Sequence, residues 1–318
     1  MEFFGKTKID FLGKRTMFFY LSIVLNIVGL GLSALGVRMG IDFKGGSEVG
    51  IAFTNPQQTE TVRTVVEKAG FQNAEIKSYG KPNEFLIRTV EVAVTGKEKP
   101  SASIIAALKQ AFPSENIVVK KDDLIGPKVG SELRTKALWA ILISIFAILV
   151  YIAFRFEFVY GLGAVIALIH DVCVAFGAVV IMQRLEILNL EFSMGVLAAL
   201  LTVAGFSIND TVIIFDRIRE NREKHKGLSL ISLINLSINE TLSRTINTVV
   251  TVVLVLVTIL FLGGEALHGF SFTMLVGIIV GTYSSIYVAS AFVVWYIERV
   301  QKVDLETPYK KELAASKA

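Results

Sequence analysis

The sequence predicts a polytopic α-helical membrane protein with six transmembrane helices and one small α+β domain. Three observations carry this. The 318 residues are 53% hydrophobic with a mean hydropathy of +0.60, too apolar for an ordinary soluble domain. Six runs, at 16–37, 137–154, 159–182, 192–214, 244–262 and 270–297, can each cross a hydrocarbon core, which takes about 20 apolar residues. The stretch 38–134 instead mixes polar and apolar residues over a length that suits a small folded domain. The single cysteine, Cys173, lies inside an apolar run, which excludes a disulfide framework, and the three histidines are scattered at 170, 225 and 268.

The first run follows Lys14 and Arg15, as a signal peptide would. Its apolar part is longer than a signal core and five more runs follow, so it reads as an anchor that stays. Within 38–134, residues 47–53 read as a strand. Residues 56–69 read as a helix, with Val62, Val65 and Val66 on one side and Pro56 and Gly70 as punctuation. Residues 72–79 and 84–90 read as strands around the turn Gly80-Lys81-Pro82-Asn83. A second helix at 101–112 and a strand at 116–121 complete the order β-α-β-β-α-β, which suggests a ferredoxin-like layer. That fold hosts too many functions to name one.

Two glycine motifs bracket this domain: Ile41-Asp42-Phe43-Lys44-Gly45-Gly46-Ser47 and Ile125-Gly126-Pro127-Lys128-Val129-Gly130-Ser131-Glu132-Leu133. As tight turns they join helix to strand. As a hinge, Gly45, Gly46, Gly126, Pro127 and Gly130 would let the domain swing. The residues alone leave both readings open.

Loop charge predicts orientation. Lys6, Lys8, Lys14 and Arg15 precede the first run. Arg217, Arg219, Arg222, Lys224 and Lys226 follow the fourth, and Arg299, Lys302, Lys310 and Lys311 follow the sixth. An even number of spans puts all three groups on one side, which the positive-inside rule makes cytoplasmic. The segments 183–191 and 263–269 carry Arg184 as their sole Lys or Arg. The expected layout is therefore a cytoplasmic tail and first span over 1–37, an extracytoplasmic domain over 38–134, and five spans over 135–298 with a cytoplasmic loop at 215–243. A cytoplasmic tail over 299–318 ends it.

Two charges stand in apolar runs. Asp210 lies in Gly205-Phe206-Ser207-Ile208-Asn209-Asp210-Thr211, and Arg244 lies in Ser243-Arg244-Thr245 at the mouth of the fifth run. Such charges cost a few kcal/mol on insertion scales, face protein or water, and mark function by default. The helical neighbours of Asp210 are mostly apolar: Val203, Phe206, Ser207 and Ile214. Burial favours its neutral form and a nearby arginine its ionised form, and a carboxyl so balanced loads and releases a proton. Arg244 shares a helical stripe with Ser237, Thr241, Thr248 and Thr251, which would line a water path or satisfy its hydroxyls against neighbouring helices. The competing reading is a static Asp210–Arg244 ion pair, or side chains that snorkel to the interface.

His170-Asp171, in the third run, and Asn209 would fix helix packing or act as a secondary relay. No ligand cluster supports a metal site. Gly277 and Gly281, followed by Ser284 and Ser285, form a face for close helix approach. The segment 216–222 reads as a short helix end with local ion pairs. There is no Walker, triad or cofactor fingerprint, so work would draw on an ion gradient. Moving one charge through about 100 mV yields about 2.3 kcal/mol.

Taken together, these residues resemble the SecF-type members of the SecD/SecF family, within the RND superfamily of transporters. The resemblance runs over 4–299. It rests on Asp42-Phe43-Lys44-Gly45-Gly46, Gly126-Pro127-Lys128-Val129-Gly130-Ser131-Glu132-Leu133, Arg155-Phe156-Glu157 and His170-Asp171-Val172. It rests also on Gly205-Phe206-Ser207-Ile208-Asn209-Asp210-Thr211, Phe215-Asp216-Arg217-Ile218-Arg219-Glu220-Asn221, Ser243-Arg244-Thr245 and Gly269-Phe270-Ser271. Ser47 stands where the family has threonine, a change that keeps a hydroxyl. The resemblance implies an RND-like arrangement of six spans and a proton pathway through Asp210 and Arg244, completed by an aspartate of SecD. It also implies a non-enzymatic role at the bacterial inner membrane: coupling proton motive force to late translocation and release of unfolded precursor proteins. Its implied partners are SecD, the SecYEG channel, and YidC and YajC beyond them, with membrane lipids around the spans. No nucleic acid and no cofactor other than the proton as coupling ion is implied. A small-molecule or lipid exporter on the same scaffold is disfavoured by the small domain, and a purely structural scaffold remains the third reading.

Overall fold

The computed structural model describes residues 7–90, 99–188, 190–303 and 305. Lys6, Lys310, Lys311, the first residues of the family resemblance and most of the expected tail at 299–318 lie outside the described residues. A single 3-10 turn (Leu12–Lys14) leads into α1 (Arg15–Ala34). A short α2 (Ile41–Lys44) then leads into the small domain: β1 (Gly46–Ala52), α3 (Thr59–Lys68), β2 (Glu75–Tyr79), β3 (Lys81–Thr89), α4 (Pro100–Ala111) and β4 (Val118–Ile125). Next come α5 (Pro127–Arg155), α6 (Phe158–Leu185), α7 (Met194–Lys224) and α8 (Leu230–Leu262). The last span is composite: α9 (Glu265–Ser284), a π-helical turn (Ser285–Ala289) and α10 (Ser290–Arg299). Among the described residues, six helices are long and apolar enough to cross a membrane.

The sheet order is β2-β3-β1-β4, antiparallel throughout. Strand alternation sends Val49, Ile51, Phe85 and Ile87 to one face, where Val62 and Val66 of α3 and Ile104 and Leu108 of α4 cover them. The opposite face carries Glu48, paired in register with Arg88. The expected turn at 80–83 shrinks to Gly80, whose φ of 84° lets β3 start at once at Lys81. α2 was not anticipated. Its four residues are too few for a periodic pattern to show.

Helix ends depart from the hydropathy pattern. α5 starts at Pro127, behind Gly126 in extended conformation, because proline suits the first turn. The expected loop 215–243 is instead a helical hairpin turning at 225–229. Leu230, Leu233, Ile234 and Ile238 form a buried stripe at helical spacing, packed in one core with Phe215 and Ile218. This hairpin is amphipathic, so its average polarity reads as a loop. Arg244 is consequently a mid-helix residue of α8, not the residue that opens a span.

α7 packs against α6, α8 and α9, and α1 against α6. Small residues permit the close crossings. A Cβ on Gly177 of α6 would lie 2.6 Å from the Gly29 Cα of α1, and one on Gly277 of α9 would lie 2.2 Å from Val203 of α7. The Gly277–Gly281 face is therefore internal packing. α1 and α5 turn many large apolar side chains outward, among them Tyr20, Ile27, Trp139, Ile143 and Phe146.

The bundle has two distinct ends. At one, the backbone N–H groups of Ile9, Phe11 and Leu12 donate to the amide oxygens of Asn239 and Asn235 on α8, and Val303 and Leu305 join the same core. The described basic segments gather here. The small domain sits at the other end.

Candidate functional site: buried carboxyls and a domain joint

Asp171 and Asp210 are both buried in the bundle, 0% and 6% exposed. Asp171 Oδ1 lies 2.8 Å from His170 Nδ1, while its Oδ2 accepts from Ser207 Oγ of α7 at 2.5 Å and Ser284 Oγ of α9 at 2.6 Å. Three polar contacts from three helices converge on this carboxyl. His170 is also buried, its ring 6.1 Å from Tyr283. Tyr283 Oη donates to the Phe18 carbonyl of α1 at 2.6 Å and lies 2.9 Å from Ser22 Oγ. Asp210, one turn beyond Ser207 on α7, accepts from Thr282 Oγ1 at 3.4 Å. The buried hydroxyls of Thr211 and Thr245, next in sequence to Asp210 and Arg244, have no protein partner.

The sequence-predicted residues do not all converge. Arg244 is exposed on the outer side of α8, and no salt bridge joins it to Asp210 among the described residues. The anticipated static pair is not made. Of its stripe, Ser237 and Thr241 are buried while Thr248 and Thr251 are exposed, and each hydroxyl donates to a carbonyl of its own helix. Asn209 is exposed, away from the carboxyls. Ser207, Thr282, Ser284 and Tyr283 complete the cluster without having been singled out for it. The visible signal was the Ser284-Ser285 pair, which read as packing.

The second arrangement joins domain to bundle. Asp42 of α2 accepts from the Met194 N–H at 2.8 Å, an acidic cap on the N-terminus of α7, where the helix dipole favours negative charge. Arg134 of α5 donates to the Phe43 carbonyl at 2.8 Å, and the rings of Phe43 and Phe192 stack at 5.5 Å. Gly45 and Gly46 both have positive φ, 73° and 129°, and a Cβ on Gly46 would lie 2.5 Å from the Thr89 carbonyl oxygen. Gly130 packs onto Gly45, its notional Cβ 3.0 Å from the Gly45 nitrogen. The two glycine motifs are thus one contact. Gly126 has open space around it and serves as an extended cap before Pro127.

Charges continue this joint under the sheet. Arg88 bridges Glu48 and, at 2.6 Å, Glu191 of the α6–α7 connection; Lys121 also pairs with Glu48. Burial works to raise the Glu48 carboxyl, but the Arg88 charge and the hydrogen bonds from Lys121 and Arg88 outweigh it and hold it below the usual carboxylate value. Lys121 is raised: the Glu48 hydrogen bond and charge overcome its desolvation. At the far end, Arg155 pairs with Asp216 and Arg222 with Glu157 at 2.8 Å, so the Arg155-Phe156-Glu157 turn clamps the end of α7.

A helical bundle with ionisable groups at its core and one polar α+β domain docked on its end defines a multi-pass membrane protein built around buried charge. Its C-terminal part, 104–299, matches the family model described as Protein export membrane protein SecD/SecF, C-terminal, and 31–57 match the SecD/SecF GG Motif. The chain is 40% identical over 299 residues to the protein translocase subunit SecF of Thermodesulfovibrio yellowstonii, covering 92% of this chain and 96% of that one. It is 38% identical over 290 residues to that of Calditerrivibrio nitroreducens (90% and 93%) and 35% over 306 residues to that of Pseudomonas aeruginosa (96% and 96%). The crystal structure of SecDF, a translocon-associated membrane protein from Thermus thermophilus, superposes with a TM-score of 0.79 at 36% identity. That match covers 92% of this chain and 39% of the SecDF chain, so this chain spans about two-fifths of its solved relative. The protein belongs to the SecD/SecF family.

Proposed function

We propose that this chain is a SecF-like subunit that pairs with SecD at the SecYEG channel. It couples proton motive force to late translocation and release of precursor proteins across the bacterial inner membrane. The observation that carries this reading is Asp210: a carboxyl buried in the bundle, held by one long hydrogen bond and by no salt bridge among the described residues. A structural carboxyl at such depth is normally paired, whereas one meant to gain and lose a proton is not. Arg244, Asn247, Thr248 and Thr251 on α8 and Thr202 and Asn209 on α7 are exposed on spans where lipid would penalise them. A SecD surface covering them would complete an RND-like proton path past Arg244 with an acid of its own.

In this reading the termini and the α7–α8 hairpin are cytoplasmic, the small domain is ferredoxin-like and extracytoplasmic, and protons are the sole coupling ion. YidC and YajC are more distant associates, and no ATP is used by this subunit. The separation of basic segments from the domain supports that orientation.

The test is late-stage precursor completion in inverted vesicles holding the chain with SecD, with and without an imposed proton gradient. Asp210→Asn and Arg244→Met at matched levels are expected to lose the gradient-dependent acceleration while still copurifying with SecD. A full response in both variants would make the chain a scaffold.

A further inference from the structure

We infer that His170 and Asp171 form a second proton-holding site that acts together with Asp210. The inference rests on the proton reading of Asp210 above and adds a site to it. His170 Nε2 is buried without a hydrogen-bond partner, while Nδ1 is engaged by Asp171. An ionised Asp171 accepts from Nδ1–H, Ser207 and Ser284, and leaves Nε2 as a free base aimed into the core. When Nε2 takes a proton from hydronium, water is released and no heavy-atom bond changes. The unit then passes from net charge −1 to a neutral imidazolium–carboxylate pair, which a low-dielectric core tolerates better than an isolated carboxylate.

Asp210 senses this change. Ser207, bonded to Asp171, and Asp210 are three apart on α7, so their Cβ atoms lie roughly 5–6 Å from each other. Thr282, bonded to Asp210, and Ser284, bonded to Asp171, lie two apart on α9 and so on different faces of it, and the charge of Asp171 acts on Asp210. Two carboxylates that act on each other in this way resist simultaneous ionisation. With Nε2 protonated, Asp210 releases its proton at a lower pH; with Nε2 empty, Asp210 holds it to a higher pH. The titratable groups facing the unit are Asp210 of α7 and Tyr283 of α9, with Tyr287 of the π turn stacked beyond Tyr283. α1 contributes the uncharged Ser22, and Cys173 lies on α6 itself. No Lys or Arg makes a salt bridge to Asp171 or Asp210 among the described residues, but the Arg244 charge of α8 acts on Asp210 without contact.

The experiment is the pH profile of gradient-driven precursor completion in vesicles holding the intact translocase, for wild type, Asp210→Asn, His170→Asn and His170→Gln. The asparagine amide can donate to Asp171 from near the Nδ1 position but has no basic nitrogen, so packing is kept and proton binding lost. Expected are an inactive Asp210→Asn and His170 variants that need a higher pH to work, because an Asp171 left ionised makes Asp210 hold its proton more tightly: the midpoint rises by about one pH unit, the scale at which coupled sites titrate jointly. Full activity in Asp210→Asn refutes the Asp210 reading itself. An inactive Asp210→Asn with wild-type profiles in the His170 variants overturns the present inference alone. If neither His170 variant assembles, infrared titration of the wild-type complex decides: an imidazole band titrating together with a buried carboxyl band supports the pair, and a carboxyl band titrating alone overturns it.

Discussion

Asp42 and Asp210 are both acids that accept a hydrogen bond at or from another helix, in different surroundings: Asp42 lies among charged side chains and Asp210 in the core of the bundle. Asp42 accepts a backbone N–H at a helix start, where the helix dipole favours negative charge. Asp210 accepts from one hydroxyl and makes no salt bridge among the described residues, with the charges of Asp171 and Arg244 acting on it from a distance. Glu48 is the acid whose ionisation is structural. Its folded value lies below the ordinary 4.5, so its contribution is complete above about that pH and is lost as the pH falls through the lower folded value. Amide protection factors in β1 and β3 should therefore fall on acidification in wild type, and should be low but free of that step in Glu48→Gln. Gly46→Ala meets both a positive φ and the Thr89 carbonyl, and should lower the thermal midpoint of the purified protein, with a cost of about 1–3 kcal/mol. At this scale the charges were legible, because Asp210, Arg244 and His170-Asp171 interrupt apolar runs. The hydroxyls that hold the carboxyls were not: Ser207, Thr282 and Ser284 are ordinary in a membrane helix until another helix brings them a partner.

Elements were legible where one property dominates. The six spans and the alternating strands of the domain follow from hydropathy and period, and the antiparallel order β2-β3-β1-β4 agrees with the β-α-β-β-α-β reading. What escaped was amphipathic or irregular. The start of α8 hides a buried stripe inside a polar average, and the π turn after Ser284 depends on how α9 and α10 seat against α6 and α7. The α1–α6 crossing escaped too, since single glycines such as Gly29 and Gly177 form no motif. Gly177→Leu should separate these helices and cost about 3 kcal/mol, the upper end for overpacking, read as a lower midpoint in detergent. Gly31→Leu, with nothing within 4 Å, should leave the midpoint unchanged.

The whole molecule places an ionic clamp at one end, a docked domain at the other and acids between them. Arg88 spans the domain boundary through Glu48 and Glu191. Arg88→Ala leaves Glu48 buried with Lys121 as its remaining ion-pair partner, a loss of about 3 kcal/mol. It should raise protease cleavage near the joint while the spans stay folded. Orientation was read from charge placement, which needs no contacts, and the partner from the family resemblance alone. The joint itself was beyond the sequence, because Gly130 and Gly45, or Asp42 and Met194, meet only once the chain has folded back.

Asp42 caps the same helix that carries Asp210. Sixteen residues separate Met194 from Asp210, roughly 24 Å at about 1.5 Å per residue. An α-helix is stiff along its axis, and α7 is one unbroken rod whose middle sits in the acid cluster and whose tip is held by Asp42. A slide or roll of α7 that followed a change of charge at Asp210 would arrive at Asp42 with little attenuation. The domain would then report a proton it never touches.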